Sequence, residues 1–347
     1  MEKMQVNVDL KENSYKVFID EFKELTIKGN VAIITNPKVG GLWLEFLLKN
    51  LKCDKKFIIS VPDGEEYKNL NTIEQILEQL FSSKCDRKTT LIALGGGVIS
   101  DMTGFAASIF ERGIDFINFP TTLLAQVDAS VGGKTGVNNK FGKNLIGSFH
   151  QPKAVFCESE FLNTLPPREF SAGVAEAIKM AVMFDKKFFE FFENSTLKSS
   201  DEIAKMVQTC VKIKADVVVK DEKETGIRAV LNYGHTFAHV IERITDYKEF
   251  LHGEAVSIGI NMANNLALRL GFLSKNEVFK ISETLKKFNL PTTFKIPNAD
   301  EFYELFFMDK KTQNSKIKFI LANSIGEFKI CTDIPKDVVI ATLKDFE

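Results

Sequence analysis

Apolar residues in the first half of the chain gather into short β-branched or aliphatic runs, at Val31–Thr35, Lys56–Val61, Thr90–Leu94, Asp115–Phe119 and Lys153–Cys157. Between several of these runs the apolar positions return at helical spacing, as in Gly41–Asn50 and Leu70–Phe81. Strand-like runs alternating with amphipathic helices predict a mostly parallel sheet flanked by helices, which places ligands at the carboxyl ends of its strands. From about Leu165 the pattern changes. Ser171–Phe184, Ser200–Lys220, Gly234–Ile244, Ala255–Leu270 and Ser274–Lys287 all carry helical spacing. Only Ile317–Leu321 and Glu327–Thr332, around Asn323-Ser324-Ile325-Gly326, read as a hairpin. The expected fold is α/β plus all-α: a Rossmann-like parallel-sheet domain over residues 1–160 and a mainly helical domain over 161–347. A chain of 347 residues is long for one core, which favours two.

Composition narrows the function without naming it. Lys plus Arg number 45 against 46 for Asp plus Glu, so no net basic field exists to drive binding to nucleic acid or a membrane surface. A local basic pocket for a small anion remains compatible with that balance. The segment MEKMQVNVDLKENSYKVFID has no apolar signal-like region, and no uncharged apolar run is long enough to span a bilayer. Cys53, Cys85, Cys157, Cys210 and Cys331 are scattered, as expected of free thiols in a reducing cytoplasm. Any metal is therefore expected on nitrogen and oxygen ligands.

The segment Leu91–Asp101 runs from an apolar strand through Gly95-Gly96-Gly97 into a helical stretch. Glycines there let the backbone approach a pyrophosphate, and the following helix start offers free amides and a positive dipole end. Taken alone, a plain strand–helix turn explains these glycines equally well, and the string is not GxGxxG. Two further strand ends add weight. Asp63-Gly64-Glu65-Glu66-Tyr67-Lys68 follows the strand ending at Val61, with carboxylates suited to ribose hydroxyls and a lysine suited to phosphate. Thr121-Thr122 follow Asp115–Phe119. Three polar strand ends predict one nucleotide crevice.

The chain has four histidines, and His235, His239 and His252 fall in one short window. His235 and His239 share a helix face, and His252 opens what reads as another helix. Two helices carrying imidazoles, completed by a carboxylate, suit a catalytic metal with open positions. Glu176 is a good candidate for that carboxylate because it interrupts the apolar stretch Ala175–Ile178, an expensive place for an unpartnered charge. Lys134 and Lys143, next to Asn144, are read on glycine-bounded loops, and Arg112, Lys214, Arg228 and Asn232 add donors for a substrate bearing phosphate and carboxylate.

Taken together, Phe119–Asn138, Gly142–Gly147, Gln151-Pro152, Thr164–Pro166, Arg168-Glu169, Gly173–Lys179, Lys214–Asp216, Asp221-Glu222, Arg228, Leu231–His239 and His252–Ala255 resemble the 3-dehydroquinate synthase family over nearly the whole chain. The resemblance implies zinc, with cobalt as an alternative, on Glu176, His235 and His252, and His239 nearby as a proton shuttle. It implies NAD on Asp63, Gly64, Glu65, Glu66, Tyr67, Lys68, Gly97, Val98, Ile99, Ser100, Asp101, Thr121, Thr122, Lys134, Lys143, Phe161, Leu162, Asn163 and Thr164. Asp128, Lys134, Asn144, Lys179, Lys214, Arg228, Asn232 and Arg112 would then surround a phosphorylated seven-carbon keto acid, with Lys310 or Lys311 closing over its phosphate. The resemblance implies a homodimer, and a conversion of 3-deoxy-D-arabino-heptulosonate 7-phosphate to 3-dehydroquinate and phosphate by transient oxidation, phosphate elimination, re-reduction and aldol closure. Ser100 where glycine is common, Ile109-Phe110 and Cys157-Glu158-Ser159 depart from the family pattern without touching an expected metal ligand. Another sugar-phosphate cyclase and a metal-dependent polyol or glycerol dehydrogenase are the rival readings. A non-enzymatic binding module leaves Glu176 and the histidine cluster unexplained.

Overall fold

In the computed structural model, which describes residues 4–308 and 317–347, the five apolar runs of the first half become neighbouring strands. The strands of this half are β1 (Gln5–Val8), β2 (Tyr15–Ile19), β3 (Leu25–Thr26), β4 (Asn30–Thr35), β5 (Leu51–Lys52), β6 (Lys55–Ser60), β7 (Thr90–Gly95), β8 (Phe116–Pro120), β9 (Lys134–Asn139), β10 (Gly142–Phe149) and β11 (Ala154–Cys157). Seven of them form one sheet in the order β1-β2-β11-β8-β7-β4-β6, parallel except for the β1–β2 hairpin at one edge. Its central strands are apolar on both faces because helices cover both. Val31, Ile33, Ile92 and Leu94 pack with Leu47 of α1 (Pro37–Asn50). The alternate residues Ala32, Ile34, Leu91 and Ala93 pack with Ile73, Ile76 and Leu80 of α2 (Leu70–Ser82) and with Met102 and Ala106 of α3 (Gly97–Ile109).

The glycine-bounded stretches around Lys134 and Lys143 form the β9–β10 hairpin and are strands, contrary to the loops expected. Gly136 pairs across it with Gly147, where an added Cβ on Gly147 would sit 2.9 Å from the Gly136 Cα. That close approach needs the glycines that make the segment read as a loop.

Helices make up most of the remainder: α4 (Pro167–Phe184), α5 (Lys186–Asn194), α6 (Ser200–Lys220), α7 (His235–Ile244), α8 (His252–Arg269), α9 (Lys275–Lys287), α10 (Ala299–Leu305) and α11 (Lys336–Leu343). β12 (Phe319–Ser324) and β13 (Glu327–Cys331) form the antiparallel hairpin expected near the end. Internal contacts divide the chain into two compact units, residues 1–165 with 198–223, and residues 166–197 with 224–347. A cut at 160/161 would give α6 to the helical unit. Instead α6 buries Met206, Val207, Cys210 and Val211 and packs on β1 and β2 of the sheet unit. Within the second unit α8 is buried along nearly its whole length and packs on α4, α7, α9, α11 and β12. Among the described residues no helix is long and apolar enough to cross a membrane.

Candidate functional site

In the first unit the strand ends carry the polar segments together. β7 ends at Gly95 and α3 begins at Gly97, so the amides of Gly97, Val98 and Ile99 form the helix's first turn, where no intrahelical acceptor exists. Space at this turn is tight: a Cβ on Gly96 would lie 3.0 Å from Thr122 Cγ2, and one on Gly97 would lie 3.3 Å from the Ala129 Cβ. Thr121 N–H donates to Gly95 O at 2.9 Å, tying the β8 end to the β7 end. Ile99 packs its side chain into the core and Ser100 is buried, so these two can offer only backbone to a ligand.

The segment after β6 closes on the same turn. Gly64 has φ +128, a conformation reserved for glycine. Asp63 Oδ1 accepts from Asn36 Nδ2 at 2.8 Å, and Asn36 caps α1 at the end of β4. Lys68 is buried and its Nζ donates to Asp101 Oδ2 at 2.5 Å and Asn144 Oδ1 at 2.6 Å. Burial opposes that charge, but the Asp101 and Glu65 carboxylates outweigh it and raise the ammonium above its usual range. Asn138 joins the hairpin to this segment, donating its backbone N–H to Lys68 O and its Nδ2 to Glu65 Oε1, both at 2.8 Å. Lys134 opens β9 exposed and Lys143 lies half-buried on β10. Tyr15 Oη accepts the Gly132 N–H at 2.9 Å, bracing the approach to Lys134.

Phe161 to Thr164 form a 3-10 turn after β11. Phe161 and Leu162 are buried, Asn163 and Thr164 exposed, and Trp43 Nε1 donates to Thr164 Oγ1 at 3.2 Å. Just before them Glu158 Oε1 accepts the Phe22 N–H at 3.0 Å. Burial raises the Glu158 carboxyl to about 7, the Phe22 hydrogen bond opposing and the Asp20 and Glu160 charges adding to the rise. Lys214 on α6 donates to Asp128 Oδ1 and Asp128 O, each at 2.5 Å.

In the second unit, helices α4, α7 and α8 converge on Glu176, His235 and His252, whose ligand atoms all lie within 4.8 Å of one another. Glu176 is completely buried, and His235 Nε2 and His252 Nε2 stand 3.7 and 3.6 Å from its Oε1. Neither Glu176 oxygen accepts a well-formed hydrogen bond, although the Lys179 ammonium rests against Oε2. The other ring nitrogens are engaged: His235 Nδ1 with Tyr233 O and His252 Nδ1 with Glu242 Oε1, both at 3.1 Å. The His252 side chain keeps 34% exposure, which leaves the triangle open on one side. Gly234 starts α7 at φ +79, and an added Cβ there would lie 2.9 Å from Ile260 N of α8. The His239 ring lies 5.6 Å from that of His235. Arg228 is fully buried, and Asn232 Nδ2 donates to Glu224 Oε1 at 3.0 Å. Arg168 clasps Glu254 through Nε and Nη2, both at 2.7 Å, joining the start of α4 to the start of α8.

Two expectations fall elsewhere. Arg112 is exposed just past the far end of α3, a helix length of roughly 20 Å from the turn at Gly97 within the first unit. Lys310 and Lys311 lie outside the described residues. The sequence reading missed Asn36, Asn138 and Glu242. Asn36 had a signal, an Asn-Pro start immediately after a strand. Glu242 shares a helical face with His235, seven residues on, but a carboxylate there reads equally as a solvent-facing group.

The first unit thus presents a parallel sheet with an open glycine turn, and the second a triangle of two histidines and one carboxylate. The fold superposes on 2-epi-5-epi-valiolone synthase from Streptomyces hygroscopicus subsp. jinggangensis, solved with NAD+ and Zn2+ bound, at TM-score 0.85 and 24% identity, covering 97% of this chain and 98% of that one. A 2-deoxy-scyllo-inosose synthase complexed with carbaglucose-6-phosphate, NAD+ and Co2+ matches at TM-score 0.84 and 23% identity, over 99% and 100% of the two chains. The chain itself belongs to the 3-dehydroquinate synthase family: the family's N-terminal model matches residues 58–172 and its C-terminal model residues 173–312. The 3-dehydroquinate synthase of Campylobacter concisus is 65% identical over 99% of this chain and 100% of its own length.

Proposed function

We propose that the protein converts 3-deoxy-D-arabino-heptulosonate 7-phosphate to 3-dehydroquinate and phosphate, a carbon–oxygen lyase step of the shikimate pathway leading to chorismate and the aromatic amino acids. The observation that carries this reading is the Glu176–His235–His252 triangle. A buried carboxylate without well-formed hydrogen bonds is costly, and both imidazoles turn Nε2 towards it with Nδ1 occupied. One divalent cation satisfies all three donors, and the nitrogen–oxygen set suits zinc, with cobalt compatible. The glycine turn with its free amides fits the pyrophosphate of NAD. When bound, the ion supplies Lewis acidity and NAD supplies a hydride acceptor restored within each turnover.

Each unit contributes its own residues to the work. In the first, Asp63–Lys68, Gly97–Asp101, Thr121, Thr122, Lys134, Lys143 and Phe161–Thr164 are assigned to the cofactor. Asp128, Lys134, Asn144 and Lys214 are assigned to substrate. In the second, Lys179, Arg228 and Asn232 bind anionic oxygens, and His239 moves a proton. Fixed cations orient a phosphate that removes the neighbouring proton with its own oxygen, so these residues position the group and stabilise charge developing in the transition state. The reading extends to a cytoplasmic homodimer.

Phosphate release from 3-deoxy-D-arabino-heptulosonate 7-phosphate, with substoichiometric NAD and NADH absorbance followed in parallel, tests the proposal. Many phosphates released per NAD without accumulating NADH is the expected result. No release from folded, zinc-loaded protein would reject the substrate and favour another cyclase, whereas accumulating NADH would favour a polyol dehydrogenase.

A further inference from the structure

The second unit contains a buried carboxylate for which the assigned chemistry has no use. Glu242 lies on α7, is 4% exposed and points its Oε1 at His252 Nδ1, 3.1 Å away. A carboxylate in the interior carries a desolvation penalty that only a firm partner offsets. Its neighbours allow a finer reading than packing. His252 is the first residue of α8, so no preceding helical turn constrains its ring, and its side chain is one-third exposed. An imidazole so placed has rotational freedom unless something holds Nδ1. His235 is held differently, with Nδ1 on the Tyr233 carbonyl. The two rings thus carry unlike partners, one a charged carboxylate and one a neutral carbonyl.

We propose that Glu242 is a positioning residue of the metal centre, which accepts the Nδ1 proton of His252 and so fixes the tautomer and plane in which Nε2 faces Glu176. The inference rests on the reading of the triangle as a metal site and adds to it a carboxylate outside the three ligands. An accepting carboxylate behind an imidazole increases the basicity of the opposite nitrogen as well as orienting it. It also adds negative charge near a cluster in which Glu176 already faces the Lys179 ammonium. The neutral carbonyl behind His235 supplies orientation with much less of that charge. Loss of Glu242 should therefore weaken metal binding even where the fold survives.

The test is zinc affinity of the full chain, measured by competition with a chromophoric chelator, together with the visible spectrum of the cobalt-substituted protein. Glu242→Ala should bind zinc about 10- to 100-fold more weakly than the native protein, the range expected when a partner of this kind is removed. Glu242→Gln keeps an acceptor of the same size without the charge and should fall between the two. If the alanine variant fails to fold, the glutamine variant decides alone. Native-like zinc affinity and an unchanged cobalt spectrum in Glu242→Gln would overturn the inference while leaving the metal reading intact. Failure of the native protein to bind one zinc per chain would overturn both. Melting of the metal-free variants separates a merely structural anchor, which would lower stability without changing affinity.

Discussion

Gly253 decides how closely α8 approaches α4, and with it whether His252 reaches Glu176. A Cβ at residue 253 would fall inside the contact radius of the Ala172 carbonyl oxygen, 2.5 Å from the carbonyl carbon and 2.6 Å from the Cα. The obstacle is helix backbone, which cannot swing aside as a side chain can. Ordinary contact begins near 3.4 Å, so Gly253→Ala forces the two helices apart by roughly 1 Å. Ala172 is one turn before Glu176 on α4, and Gly253 adjoins His252 on α8. The separation therefore falls on the two ligands that must converge. Metal–ligand distances tolerate about 0.2 Å, so the displacement exceeds what the site can absorb.

Two losses follow from one methyl group. Overpacking should destabilise the fold by about 1–3 kcal/mol, which lowers Tm by several degrees in a chain of this size. Zinc affinity should fall by at least about tenfold, in line with the sensitivity of such centres to ligand placement. Gly41→Ala is the control, because that glycine sits exposed within α1 with nothing within 4 Å of an added Cβ. There the same substitution should stabilise by about 0.5–1 kcal/mol through helix propensity and leave zinc binding alone. Thermal melting of metal-free protein and chelator competition read the two quantities independently. A Gly253→Ala variant with native Tm and native zinc affinity would refute the argument from helix approach.

Other substitutions probe the sheet unit. Lys68→Met removes the ammonium bonded to Asp101, and removing one partner of a buried pair costs up to about 3–5 kcal/mol, less here because Asp101 keeps some exposure and the Lys214 charge also acts on it. NAD affinity, followed by fluorescence titration, should fall in parallel, and unchanged affinity would remove Lys68 from the cofactor set. Glu158 makes stability depend on pH. Its folded carboxyl is raised to about 7 from an ordinary 4.5, so the folded state binds more protons than the unfolded one across that window. The stability Glu158 contributes is full below 4.5 and is lost as pH rises through 7. Glu158→Gln, which still accepts from Phe22 N–H, should therefore gain Tm over the native protein between pH 5 and pH 8, and a constant difference would show that burial does not hold the proton.

How much of this was legible in the sequence depended on whether a physical requirement left a mark on residue type. The parallel strands were legible because burial on both faces demands runs such as Val31–Thr35 and Thr90–Leu94, which few other structures tolerate. The convergence of Glu176, His235 and His252 was legible because histidine is scarce here and because Glu176 stands among apolar neighbours. The β9–β10 hairpin was hidden for the opposite reason. Gly136 and Gly147 are there to let two strands approach closely, yet glycine in a sequence most often marks a turn.

The same logic explains Glu242 and Gly253. Each matters through a contact with an element distant in sequence: ten residues away for Glu242 and His252, and eighty-one for Gly253 and Ala172. A carboxylate on an amphipathic helix is ordinarily solvent-facing, and a glycine near a helix start is ordinarily a flexible entry. Neither residue type reveals a requirement that arises only when α4, α7 and α8 pack together. Ligands can be found by chemistry because they must be histidine or carboxylate. The residues that hold ligands in place are constrained by geometry, and geometry admits many residue types until the partner helix is known.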